Sequence, residues 1–176
     1  MIMELKKFRL LFDKDVEQDW LNELCRQGWA FKKFFAGVYT FESCQPGEYI
    51  YQVDLLPGGG FQASDPDGYM EFMEETGVEV VSRWFRWIIL RKRTEDGPFE
   101  IYTDVDSQIQ MYARIRNMFL FGLGIELCCS ASVWTNLYQG GPFFYILALL
   151  YLMIFATFLR IVITSSRKIK MLEAQK

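Results

Sequence analysis

An α+β domain built on an antiparallel sheet, followed by a pair of membrane helices, is the architecture that this 176-residue sequence predicts. Three observations carry it. Up to about residue 95, runs of alternating apolar residues interleave with two stretches of helical period. The last third holds two apolar runs joined by a short uncharged turn. The second run, residues 143–163, has Arg160 as its one charge, and its 21 residues would extend roughly 31 Å as a helix, enough to cross a bilayer core. The boundaries follow: a domain over 1–95, a connector and amphipathic helix over 96–116, a transmembrane hairpin over 117–164 and a basic tail over 165–176.

The chain opens with an alternating segment. In 6–12, Phe8, Leu10 and Phe12 share one face and Lys7 and Arg9 the other, as in a half-buried strand. Asp13 or Asp15 can cap a helix that runs to about Gln27, with Gly28 as its stop. Val16, Trp20, Leu21, Leu24 and Cys25 form its apolar face, and core packing accounts for Trp20 and Cys25. Residues 29–43 read as one long strand, bulged near Gly37. After a Pro46-Gly47 turn, 48–56 is the next strand, expected to pair with 29–43 as a hairpin.

Pro57-Gly58-Gly59-Gly60 lacks the Lys and Ser/Thr of a phosphate loop and reads as a flexible connector. A helix follows from Asp65-Pro66 to about Thr76, burying Tyr69, Phe72 and Met73, with Gly77 as its stop. Its acidic residues miss the spacing of a calcium loop and suit a solvated face. Residues 78–93 are strand again, but later apolar positions fall on both parities. Either a bulge lies near Trp84-Phe85 or two short strands meet there in a tight turn. Arg83, Trp84, Arg86 and Trp87 are the candidate ligand or partner surface, with cation–π pairing across the sheet as the plainer explanation. The sum is β-α-β-β-α-β, the ferredoxin-like plan. RNA-binding modules share that plan but need aromatics on the open sheet face. Here Phe8, Phe12, Tyr49 and Tyr51 alternate with polar residues as buried ones do, while Gln52 and Asp54 lie opposite.

Charge sharpens these expectations. Up to Asp104 there are 12 Lys+Arg and 19 Asp+Glu; beyond it there are 7 and 3. An acidic domain argues against a nucleic-acid partner, and the basic remainder suits anionic lipid headgroups. The chain has no histidine, which removes Ser-His-Asp and Cys-His catalysis and every His-containing zinc site. Cys25, Cys44, Cys128 and Cys129 show no CxxC spacing, so neither a disulfide framework, a metal nor another cofactor is implied. No nucleophile–base set is visible, so catalysis is not expected. The first residues hold no apolar run long enough for a signal peptide.

Residues 95–104 read as a polar connector. Thr103 with Asp106 resembles a capping box, opening an amphipathic helix that continues into the first membrane run, 118–137. Arg114 and Arg116 precede that run, Arg167, Lys168 and Lys170 follow the second, and the turn between carries no charge. The positive-inside rule then places both chain ends in the cytoplasm, with Trp134 and Tyr138 at the far interface. Glu126 is the ionisable group expected deep in the bilayer. Gly122, Glu126 and Ser130 share a face that would pack near Ala148, Leu152 and Ala156. Glu126 serves either as a protonated link between helices or copies, or in sensing or transport. Arg160 is its tempting partner but sits about two helical turns nearer the cytoplasm.

Three stretches carry a family resemblance: KKFRLLFDKDVEQDWLNELCRQGWAF, YTFESCQPGEYIYQVDLL and DGPFEIYTDVDSQIQMYARI. They resemble bacterial membrane proteins of the domain of unknown function 2812 family over most of residues 6–116. The resemblance implies a domain placed before membrane helices. Genes of such proteins often lie beside PadR-type regulators, which implies envelope-stress or drug-response circuits; it carries no catalytic residues. The expected function is a non-enzymatic, membrane-anchored regulatory or sensing module in the inner membrane, whose cytoplasmic domain binds a protein or small ligand. The alternative is a small oligomeric transport or efflux component using Glu126.

Overall fold

The computed structural model describes residues 3–10, 13–136 and 142–176. It divides into an α/β unit, Met1–Thr103, and a helical unit, Asp104–Lys176. In the first, the elements are β1 (Glu4–Phe8), α1 (Lys14–Arg26), β2 (Trp29–Phe35), β3 (Val38–Ser43), β4 (Tyr49–Leu55), the short pair β5 (Gly58–Gly59) and β6 (Gln62–Ala63), α2 (Pro66–Glu75), β7 (Glu79–Trp84) and β8 (Trp87–Arg93). The second holds α3 (Val105–Asn136) and α4 (Pro142–Glu173).

The helix ends follow local chemistry. The Asp13 carboxylate accepts from the Asp15 N–H, and that of Asp65 from the Gly68 N–H with Pro66 in the first turn. Gly28 and Gly77 follow the helices at φ +86° and +78°, a conformation that costs other residues a steric penalty. Val16, read from sequence as part of the apolar face of α1, is exposed.

The strands depart from the expected plan. Residues 29–43 form two strands, not one: Ala36 and Gly37, at φ +47° and +83°, turn β2 back on β3. The irregularity lies between Phe31 and Lys33, not at Gly37. The first strand is Glu4–Phe8, and Phe12 lies outside the described residues. The hairpin expected between 29–43 and 48–56 is absent. β3 is central, with β1 and β2 on its two edges, so it has no edge left for β4. Instead β4 pairs with β8. Of the two readings of 78–93, the tight turn is correct, with Phe85 at φ +55° between β7 and β8. The ferredoxin-like order is therefore replaced by two three-stranded antiparallel sheets, β1-β3-β2 and β4-β8-β7.

These sheets reveal a tandem repeat. Each is a β-α-β-β unit with its first strand beside its last: β1-α1-β2-β3, then β4-α2-β7-β8. The correspondence reaches single residues, at one constant offset. Gly28 matches Gly77, the register shift at Phe31/Lys33 matches that at Val80/Ser82, and the turns match.

One core lies between the sheets, where Leu21, Leu24 and Cys25 of α1 meet Phe31, Tyr39, Phe41, Tyr51, Val53 and Ile89. Another lies on the far face of the second sheet, joining Leu56, Met73, Val78, Ile88, Leu90 and Phe99. The second sheet is thus buried on both faces, which explains why Ile88, Ile89 and Leu90 are consecutive and all apolar. The sheet face that sequence left open at Gln52 and Asp54 is covered. Phe99 and Tyr102, from the stretch read as a polar connector, pack and bond there.

In the helical unit, α3 and α4 run antiparallel. Phe119 meets Phe158 edge-on at 5.2 Å, and Lys168 stands 5.1 Å over the Tyr112 ring. Asp104, rather than Thr103, caps α3 by accepting from the Ser107 N–H at 2.8 Å. The basic tail is helical to Glu173. α4 is long and apolar enough to cross a membrane.

Candidate functional site

Glu126 sits on the buried face of α3 with Gly122 and Leu123, and it is 7% exposed. On α4 the buried face carries Ala148, Ile161, Ser165 and Ile169, with Tyr151 and Phe155 half-buried. Leu152 and Ala156, expected in the interface, are exposed, because the interface follows the 3–4 spacing through Ala148, Tyr151 and Phe155. The Tyr151 hydroxyl donates to the Glu126 main-chain carbonyl. Both carboxylate oxygens of Glu126 are buried with no hydrogen-bond partner among the described residues. A charge held so is expensive, which favours the protonated acid or a donor from outside this chain.

Ser130 donates within its own helix to the Leu127 carbonyl at 2.7 Å, so the expected Gly122–Glu126–Ser130 polar face is only partly a helix contact. Arg160 is exposed. It lies nine residues beyond Tyr151, or about 13 Å along the axis, and does not reach the carboxylate. Trp134 lies in α3, and Tyr138 lies outside the described residues.

The cluster from Arg83 to Trp87 is divided. Arg83 and Trp84 are on the surface, with Arg83 3.5 Å from Asp67. Arg86 is buried and donates to the Leu56 carbonyl at 3.0 and 2.7 Å and to the Gly60 carbonyl at 2.7 Å. It therefore pins the glycine loop rather than offering a charge to a partner. That loop is a clamped hairpin, not a flexible connector: a Cβ on Gly58 would stand 2.2 Å from the Gln62 carbonyl oxygen. Trp87 packs half-buried against the core between the sheets.

A second polar cluster escaped the sequence reading. Asp54 is fully buried and accepts from the Tyr69 hydroxyl at 2.7 Å, from the Tyr102 hydroxyl at 2.9 and 3.0 Å, and from the Leu55 N–H at 2.7 Å. Lys14 faces it from α1; burial lowers the pKa of that ammonium, and the Asp54 charge opposes the shift. Further along α1, Gln18 accepts from the Val53 N–H at 3.3 Å. Asn22 both donates to the Tyr51 carbonyl and accepts from its N–H, at 2.9 and 2.8 Å. Four helical residues rise about 6 Å and two strand residues about 6.7 Å, so side chains one turn apart can meet alternate peptides of the edge strand. The signal was present as Lys14, Gln18 and Asn22 at four-residue intervals, but the strand that it serves is remote in sequence.

The family model of the proteins described as "Protein of unknown function (DUF2812)" matches residues 13–123. The chain belongs to that family. The match begins at the cap of α1 and runs into the apolar half of α3, so it takes in the first β-α-β-β unit without β1, the whole of the second and the entry to the helical unit. No curated protein and no solved structure matches the chain.

Proposed function

We propose that this family member is a membrane-anchored regulatory or sensing module without catalytic activity. Its α/β unit lies on the cytoplasmic side and binds a protein partner or small ligand, while α3 and α4 form the anchor in the inner membrane. The observation that carries this is the surface of α4. Phe143, Tyr145, Ile146, Leu149, Leu150, Leu152 and Met153 are all more than half exposed, an apolar area that water would not tolerate and lipid would. Arg114, Arg116, Arg167, Lys168 and Lys170 gather at the two ends remote from the uncharged turn, which supports cytoplasmic termini.

Fractionation followed by capture tests the reading. The full-length chain should sediment with membranes, leave them only in detergent and retain one dominant protein on affinity capture. A chain that stays in the supernatant, or that turns over substrate unaided, would sink the proposal.

A second reading, an oligomeric transport component, is favoured by the Glu126 carboxylate, which has no hydrogen-bond partner among the described residues. Glu126→Gln should then abolish ion or drug flux in vesicles while leaving membrane insertion intact. Unchanged flux removes that reading.

A further inference from the structure

The two hairpin turns of the tandem repeat lie at one end of the α/β unit, and that end is apolar. Phe8 and Phe35 are 71% and 80% exposed, and Trp84 and Phe85 are 54% and 64% exposed. Phe8 and Leu10 close over the first turn: a Cβ on Gly37 would sit 2.8 Å from the Phe8 ring and 3.2 Å from Leu10. The rings of Phe34 and Trp84, 5.8 Å apart, join the first hairpin to the second.

Charge is layered behind this edge. Phe8 and Phe35 flank Val38 in the last rung of the first sheet. Two residues back, about 7 Å along the strands, Lys6 and Lys33 flank Thr40 on the same face. Neither lysine is in a salt bridge among the described residues. The rung beyond carries two carboxylates on one lysine, with Lys32 held 3.2 Å from Glu4 and 3.3 Å from Glu42. An apolar edge followed within one rung by two lysines that form no salt bridge among the described residues, on a domain that is acidic as a whole, matches the depth profile of an anionic bilayer: acyl chains first, phosphates next.

Phe85 adds an independent observation. It holds φ +55°, where Asn or Gly would be less strained, and it is exposed, so no core packing compensates.

We infer that this end of the α/β unit is a second membrane contact, in which Phe8, Phe35, Trp84 and Phe85 enter the interface of an anionic bilayer and Lys6 and Lys33 engage lipid phosphates. The inference rests on the reading of the chain as membrane-anchored.

The test uses the full chain in mixed phosphatidylcholine–phosphatidylglycerol vesicles, with Cys128 and Cys129 replaced by Ser. Cys44, which is only partly buried, is replaced by Ser as well, and the buried Cys25 is kept. An environment-sensitive dye is placed by Phe35→Cys, by Phe85→Cys or, at the opposite end of α2, by Glu75→Cys. Dyes at 35 and 85 should shift to the blue and be quenched several-fold more by acyl-chain nitroxides than the dye at 75. Each of Lys6→Glu and Lys33→Glu should lower the inserted fraction at least about fivefold, and salt should do the same. Phe85→Asn should raise the denaturation midpoint while weakening insertion at 35, which separates the contact from folding.

Dyes that stay in water while the chain sediments with the vesicles overturn the contact and leave the anchor standing. A chain that fails to sediment overturns both. A blue shift that acyl-chain quenchers do not touch, and that grows with protein-to-lipid ratio, overturns the lipid contact in favour of a second copy of this chain.

Discussion

Asn22 and Glu17 show how single side chains on α1 settle the unit they belong to. Asn22 gives the edge of β4 the hydrogen bonds that a neighbouring strand would otherwise supply, which also closes that edge to another chain. Asn22→Ala strands a buried N–H and a buried carbonyl, and the urea midpoint should report a loss of about 2–4 kcal/mol. A loss under about half a kcal/mol would mean that water replaces the amide without penalty. Glu17 accepts from the Tyr39 hydroxyl at 2.7 Å, but burial outweighs that bond and holds its pKa above the usual glutamate value. The folded state therefore keeps the proton longer than the unfolded one. The associated stability is complete below the unfolded pKa and is lost as pH rises through the folded value. Glu17→Gln retains an acceptor for Tyr39 and carries no charge, so its midpoint should stay level across that window while the wild type declines. Parallel curves would show that Glu17 is solvated.

At the scale of elements, the two hairpins carry the tandem repeat, and their turns are strained by side chains. Ala36 sits at φ +47° in a turn whose first central position suits Asn. Ala36→Asn should stabilise the α/β unit by about 0.5–1 kcal/mol in chemical denaturation, and a destabilised variant would argue that the turn is not of this type. The sequence reading missed this turn because Phe-Ala-Gly-Val lacks the usual Asn-Gly pair and is flanked by an unbroken aromatic run. The turn at Phe85-Arg86 was half legible, since the change of parity there was visible but had two explanations. The helices were easier to read: Asp13, Gly28, Asp65-Pro66 and Gly77 each act within their own turn, and each stands where local chemistry places it.

At the scale of the whole α/β unit, the two repeats are held together through Phe31. Its ring is fully buried between the sheets, its N–H donates to the Tyr51 hydroxyl at 2.9 Å, and its carbonyl accepts from Arg91 at 3.4 Å. Phe31→Ala should cost about 3–5 kcal/mol, read as a lower denaturation midpoint together with loss of the near-ultraviolet signal of Trp20, which packs edge-on against Tyr39 and Phe41. A cost under about 1 kcal/mol would mean that the repeats do not share that core.

Taken alone, the sequence determined what depends on near neighbours: the mixed α+β class, both helices of the α/β unit with their caps, the membrane-length apolar run and the family. Caps, turns and hydropathy act within a few residues of themselves, so they can be read in order. Only the tertiary structure decided which strands share an edge, that a second apolar layer covers Asp54, that Arg86 turns inward, and that no described residue bonds the Glu126 carboxyl group. Each of these depends on atoms brought together from far along the chain, and a strand does not carry in its own residues the identity of the strand beside it.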